Sequence, residues 1–180
     1  KGRSNVPAMT LAPSHTPVLL EESLHYLAVR EGGTYIDCTT GLAGHSGRIA
    51  EAMGPAGRLL CIDQDRDALE FARAKLTVFG RHISFAHGNF RDLAALAAAE
   101  GIDRADGILM DLGVSSLQFG APDRGFMFGQ EGPLDMRMDQ RTPGLTAAEI
   151  VNEWDEADIA DLIWRYGEER ASRRIAAASR

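Results

Sequence analysis

The stretch from Thr34 to Asp63 constrains this chain more than any other. Thr34-Tyr35-Ile36-Asp37-Cys38-Thr39 reads as a strand, and glycines at 41, 44 and 47 punctuate the turn that leaves it. A short helix over roughly His45–Met53 follows, Gly54-Pro55-Ala56-Gly57 breaks it, and Arg58–Asp63 is a second apolar strand. Two such strands joined through a helix form a βαβ unit, which pairs in parallel with a right-handed crossover. The alternation continues. Asp67–Phe79 is helix-forming, with Ala68, Leu69, Ala72, Leu76 and Phe79 near one stripe; Ile83–Ala86 is a strand, Phe90–Ala99 a helix and Gly107–Met110 a fourth strand. The chain is therefore expected to fold as an α/β protein, a parallel sheet with helices on both faces. Ahead of it, Thr16-Pro17 reads as the cap and first position of a helix running to Leu27 and stopped by Gly32-Gly33.

Such a sheet binds ligands at the carboxyl ends of its strands, and Asp37, Asp63 and Asp111 all fall there. Gly41 allows a sharp turn out of the first strand, and Gly44 leaves room for a ligand. Amides at the next helix start can hold a negatively charged group, such as a cofactor carboxylate. Asp63 lies 22 residues after Gly41, where an acid accepts hydrogen bonds from the hydroxyls of an adenosine ribose. A dinucleotide site would use G-x-G-x-x-G, but Ala43 occupies the second glycine's place. Asp37 would also repel a pyrophosphate, whereas it could receive the ammonium of a methionine moiety. S-adenosylmethionine fits this segment better than a dinucleotide. A carboxylate that merely caps the loop by accepting amides is an alternative for Asp37 that suits either cofactor. His45 is either a first-turn residue touching the cofactor or a polar helix-start residue. Asn89-Phe90 follows the third strand, so Phe90 either packs on an adenine or belongs to the core. The histidines and cysteines show no metal-ligand spacing, and no metal site is expected.

From Leu112 to Leu145, six glycines and three prolines preclude a long helix or strand, yet Phe119, Phe126, Met127, Phe128, Leu134, Met136 and Met138 are too apolar for a solvated linker. This is expected to be a packed functional loop. Within it Arg137 either meets a phosphate or pairs with a neighbouring acid. Thr146-Ala-Ala-Glu149 is a capping box. Asp155–Asp158 opens a helix that buries Ile159, Leu162 and Ile163 and ends near Gly167, and a last helix covers Glu168–Ala178. Residues 165–180 carry a net charge of +3 within a chain of −7 overall, which suits either a nucleic-acid footprint or a solvated helix face. Cys38 and Cys61 lie in apolar strands and are expected to be buried thiols of a cytoplasmic protein. No apolar run approaches a membrane span, and residues 1–14 read as a tail.

The chain also resembles the N-terminal part of the bacterial small-subunit ribosomal RNA (cytosine-N4)-methyltransferases. The resemblance rests on His15-Thr-Pro-Val-Leu-Leu-Glu-Glu, Asp37–Ser46, Asp106–Ser116, Arg124-Gly-Phe-Met-Phe128, Gly132–Asp139 and Tyr166-Gly-Glu-Glu-Arg170, and it covers about residues 15–180. It implies a Rossmann-like class I S-adenosylmethionine-dependent methyltransferase fold, and transfer of a methyl group to the N4 amine of a cytidine in 16S ribosomal RNA. By the same resemblance Ala43, Gly44 and His45 take the place of a glycine-glycine-histidine cofactor contact. Asp63 is the ribose acid, Phe90 the aromatic contact, Asp111 the strand-end acid and Gln118 a glutamine contact. Asp111 would additionally accept an N–H bond of the amine and orient its lone pair. Ala43 departs from the family's frequent glycine, and a methyl is tolerated there if the backbone stays at negative φ. Family members run well beyond this length, so a truncated sheet with an exposed edge is expected. The expected division is a tail over 1–14, a cofactor-binding domain over 15–144 and the start of a helical insert over 145–180. A small-molecule or protein methyltransferase on the same fold, a dehydrogenase, and a non-catalytic ribosome-associated fragment are the competing readings.

Overall fold

The computed structural model describes residues 17–179. The expectations for the tail and for His15 and Thr16 lie outside the described residues. Four strands, β1 (Thr34–Asp37), β2 (Arg58–Asp63), β3 (Ile83–His87) and β4 (Gly107–Leu109), form one parallel sheet in the order β3-β2-β1-β4. Strand order reverses between β1 and β4, which opens a crevice at their carboxyl ends. This is a Rossmann-like arrangement.

The period-two alternation of the strands builds two layers of core. Tyr35, Leu59, Cys61 and Ile83 point to one face, against Ile49, Ala50 and Met53 of α2 (Gly44–Met53) and Ala72 and Leu76 of α3 (Arg66–Leu76). Ile36, Cys38, Leu60 and Ile62 point to the other, against Ala97 of α4 (Leu93–Ala99) and Ile102. At the β4 edge Ile108 and Met110 remain nearly half exposed and Leu112 more so, consistent with the expected open edge.

Several element boundaries differ from the sequence reading, each for a local reason. The first helix, α1, spans Leu20–Leu27 and does not begin at Pro17. Leu19 is left-handed at φ 52°, and the Val18 carbonyl faces His45, so Pro17–Leu19 is held outside the helix. α3 starts one residue early because Asp65 caps it, and its last turn tightens to 3-10 over Thr77–Phe79. The segment after β3 opens with a 3-10 turn, Phe90–Asp92, because the Asn89 side chain accepts the Arg91 amide. The loop after β4 holds only α5 (Ser116–Phe119) and a 3-10 turn at Pro122–Arg124. The Thr146–Glu149 capping box forms and starts α6 (Ala147–Glu153). α7 (Glu156–Gly167) ends on left-handed Glu168, which delays α8 to Ser172–Ala178. Ile159, Ala160 and Ala176 make a small separate core with Ile150, Trp154 and Ile163, while Leu162 is only half-buried.

Candidate functional site

The turn after β1 is held from below and from the side. Asp37 is completely buried; its Oδ1 accepts the Thr39 amide at 3.1 Å and its Oδ2 the Ser46 hydroxyl at 2.5 Å. Burial pushes its carboxyl above the usual carboxylate range, against the opposing pull of those two donors. Thr40 fastens the turn to β2 through its amide and hydroxyl, both donating to the Ile62 carbonyl. Gly41, at φ +49°, donates its amide to Asp63 Oδ2 at 2.8 Å.

Asp63 ends β2 and is half-buried. Its other oxygen, Oδ1, accepts the Asp65 amide at 2.9 Å. Burial raises its pKa as well, opposed by the amides of Asp65 and Gly41. Each oxygen therefore spends one acceptor position on the backbone and keeps another. The Gly41 bond joins the turn after β1 to the end of β2.

Ala43 lies at φ 56° and has no exposed surface. The condition for an unstrained methyl, a negative φ, is therefore not met: α2 begins from a left-handed residue, the conformation in which a glycine is free and an alanine is strained by roughly 1 kcal/mol or more. Gly44 is required for a reason other than the expected one. A Cβ there would collide with the Pro17 ring, so the N-terminal strap, rather than a ligand, approaches it. His45 is buried in the first turn of α2. Its Nε2 lies 3.1 Å from the Val18 carbonyl and its Nδ1 lies 3.9 Å from Asp111 Oδ2.

Asp111 emerges just past β4, with its side chain 53% exposed and its amide donated to the Thr39 hydroxyl at 2.7 Å. Asp37, Gly41, Ala43, Gly44, His45, Asp63 and Asp111 thus gather at one edge of the sheet. The remaining candidates are placed differently. Phe90 is half-buried and packs with the Ile36–Ile62 face of the core. Gln118 is buried and its amide is occupied, accepting from the Ser115 amide and donating to Asp65 and to the Met138 carbonyl. Arg137 forks onto Asp135 at 2.8 and 2.7 Å, which holds the Asp135 carboxyl down at about 2. This is the internal pairing, and the fork is not directed at a ligand.

Two buried residues at this edge escaped the sequence reading. Asp65 and Arg124 form an ion pair at 2.8 Å with almost no exposed surface. Asp65 carries a readable signal as an N-cap acid two residues past a strand end, whereas nothing local marks Arg124 as its partner. Among the described residues no His, Cys, Asp or Glu cluster suits a metal ion. Cys38 and Cys61 are free and buried, and burial pushes their thiols up to about 11 and 12, which disfavours the thiolate. Arg165 pairs with Asp161 along α7, and Arg170, Arg173 and Arg174 are exposed.

Comparison with known proteins bears on this geometry. A model of the MraW methylase family matches residues 12–179. A "Ribosomal RNA small subunit methyltransferase H" from Symbiobacterium thermophilum is 51% identical over 166 residues, which are 92% of this chain and 52% of that protein. A protein of the same name from Brevibacillus brevis is 48% identical, over 93% of this chain and 53% of that protein. The chain spans about half the length of the curated relatives it matches. Among solved structures, an SAM-dependent O-methyltransferase from Thermotoga maritima superposes with a TM-score of 0.45 at 20% identity, covering 66% of this chain and 40% of that one.

Proposed function

Because the chain belongs to the MraW methylase family, we propose that it carries the cofactor site of an S-adenosylmethionine-dependent enzyme that methylates the exocyclic N4 amine of a cytidine in 16S ribosomal RNA. The observation that carries this reading is the identity of about half its residues, over nine-tenths of the chain, with relatives named as small-subunit ribosomal RNA methyltransferases. We divide the chain into a tail over 1–14, a cofactor-binding unit over 15–144 and the opening of a helical insert over 145–180, and we place the protein in the cytoplasm. Among the described residues no helix is long and apolar enough to cross a membrane.

The donor set fits this cofactor. Asp63 is acceptor-only and keeps an acceptor position on each oxygen, as a pair of ribose hydroxyls requires. Gly44 and His45 would supply the first helical amides for its carboxylate, while Gly41 and Ala43 shape the turn through their own amides, bonded to Asp63 and to the Thr40 carbonyl. Phe90, packed beside the Ile36–Ile62 face of the core, would offer an edge to the adenine. Asp37 has no exposed surface, so its part is to brace the turn through Thr39 and Ser46. Gln118 holds the loop through Asp65 and the Met138 carbonyl, and its oxygen keeps one acceptor position for the cofactor contact the resemblance implies. The cofactor, when bound, supplies a methyl group on a positively charged sulfur.

Asp111 has the exposure and position to meet the substrate. A cytosine N4 amine is conjugated with its ring and is a poor nucleophile. A carboxylate oxygen accepting one of its N–H bonds raises the electron density on nitrogen and fixes the lone pair's direction. The nitrogen carries one proton too many once methylated, and Asp111 is placed to receive it. An acid that is 53% exposed also suits a base swung out of an RNA stack better than a small molecule sealed in a pocket. The test measures S-adenosylmethionine binding and methyl transfer to small ribosomal subunits lacking the modification. Asp111→Asn is expected to lower transfer by about 10²-fold while changing cofactor affinity far less. Unchanged transfer would remove Asp111 from the chemistry, and failure to bind the cofactor would remove the whole reading.

A further inference from the structure

The loop between β4 and α6 leaves many of its apolar groups open: Phe119, Phe128, Leu134 and Met136 are exposed, Phe128 to 94%, while Phe126, Met127 and Met138 are half-buried. Among the described residues its most buried attachment is polar, and a second joins Asp139 to His87 and Arg66. Asp65 Oδ1 caps α3 by accepting the Asp67 amide, and Oδ2 accepts from Gln118 Nε2 at 2.9 Å and from a terminal nitrogen of Arg124 at 2.8 Å. The same Arg124 nitrogen reaches the Met138 carbonyl at 2.5 Å, and Gln118 reaches it at 3.3 Å. One carboxylate thus gathers both halves of the loop. Two residues upstream, the Asp65 amide donates to Asp63, whose other oxygen takes the Gly41 amide. The hydrogen bonds run unbroken from the glycine turn, through the proposed ribose acid, to the far side of the substrate loop.

We propose that Arg124 and Asp65 are positioning residues, a buried latch that makes docking of the loop over residues 115–139 and binding of S-adenosylmethionine at Asp63 one coupled equilibrium. This rests on the function proposed above. Two observations favour a latch over plain structural support. A buried ion pair contributes little net stability compared with apolar groups of the same size, so its presence points to control of position. Arg124 Nε is also buried without a partner, so the guanidinium is placed for its terminal nitrogen alone. Coupling of this kind is reciprocal: an undocked loop weakens the cofactor by the same factor by which the cofactor docks the loop.

The test is amide hydrogen exchange over residues 115–139 with and without saturating S-adenosylmethionine, in this chain and in any longer natural protein containing it. The cofactor is expected to slow exchange across the loop in the parent sequence. Arg124→Met should abolish that slowing at saturation and weaken cofactor binding by about tenfold. Arg124→Lys should retain both, because one nitrogen makes both contacts and an ammonium can replace it. If Arg124→Met does not fold, Asp65→Asn/Arg124→Met carries the test, since it removes both charges and keeps a capping side chain on α3. A variant that still shows cofactor-induced slowing, or a parent that binds the cofactor without any slowing, overturns the latch. A parent that does not bind the cofactor overturns the function itself, so the two failures are distinct.

Discussion

Asp63→Ala offers the most direct measurement of the cofactor site. Each oxygen of this carboxylate takes one backbone amide, from Gly41 or Asp65, and has one acceptor position left for a ribose hydroxyl. Removing the side chain deletes two charge-assisted bonds to the ligand, about 1.5–3 kcal/mol each if they were independent. They share one ribose and one carboxylate, and water partly replaces them. About 3 kcal/mol is the reasonable total, which corresponds to roughly 150-fold in Kd. The same change leaves the Gly41 and Asp65 amides without their acceptor, at about 1 kcal/mol each in a partly solvated turn. Burial holds the Asp63 pKa up, so deleting the charge returns part of that loss. Affinity should therefore fall much more than stability, with Tm dropping by only about 5 °C. Asp63→Asn keeps one acceptor oxygen and should lie between, about tenfold weaker. Titration calorimetry with S-adenosylmethionine reads the first quantity and scanning calorimetry the second. An Asp63→Ala chain that stays folded and binds within fivefold of the parent would show that this acid does not hold the ribose.

Two further outcomes follow from the backbone and from burial. Ala43→Gly relieves left-handed strain of about 1 kcal/mol but removes a fully buried methyl worth about 0.8 kcal/mol and loosens the unfolded chain by a similar amount, so chemical denaturation should find it near neutral or slightly destabilised; a gain above about 2 kcal/mol would mean that the strain is far larger than φ 56° implies. For pH, Asp37 and Asp63 have folded pKa values raised by burial, so stability is greatest below their folded values and falls as pH rises from about 4 through them, whereas the Asp135 pair, held down to about 2, stabilises above the ordinary carboxylate range and is lost as pH falls towards 2. Thermal melts of the apo chain across pH 3–8 should show this maximum on the acid side of neutrality, and Asp37→Asn should flatten its alkaline limb; an unflattened limb would locate the effect elsewhere.

The parallel sheet was legible because local signals agreed with the tertiary outcome. Period-two strands, helix-forming crossovers and glycine breaks all specify the same order, and β2 emerged with the expected bounds. What sequence could not specify was set at a distance. Whether Ala43 is left-handed depends on how Pro17, Val18 and Thr40 clamp the turn, and none of these contacts is periodic. The Asp65–Arg124 pair spans 59 residues, and neither partner announces the other. Gln118 suggested a ligand contact by resemblance, and nothing local showed that its amide also bonds its own cap, Asp65 and Met138. Local pattern reveals which residues stand at the strand ends, and packing decides which of their atoms are still free.

The three strand-end aspartates illustrate that division. In sequence they are equivalent, each an acid following a short apolar run. In the fold they stand at three depths: Asp37 has no exposed surface, Asp63 is half-buried, and the Asp111 side chain is 53% exposed. Depth alone assigns much of what each can do. An acid sealed under the turn, with both oxygens filled by Thr39 and Ser46, can shape the loop but cannot reach a ligand without opening it. An acid with one backbone amide on each oxygen is rigidly aimed and still has acceptors to offer, which suits a tightly held cofactor. An acid whose own amide is tied to Thr39 while its carboxylate reaches solvent near His45 can meet a substrate that arrives and leaves. In the function proposed above, the same residue type at the ends of β1 and β2 and just past β4 would thus serve as a brace, a cofactor hold and a substrate contact, because the fold buries the three to different degrees.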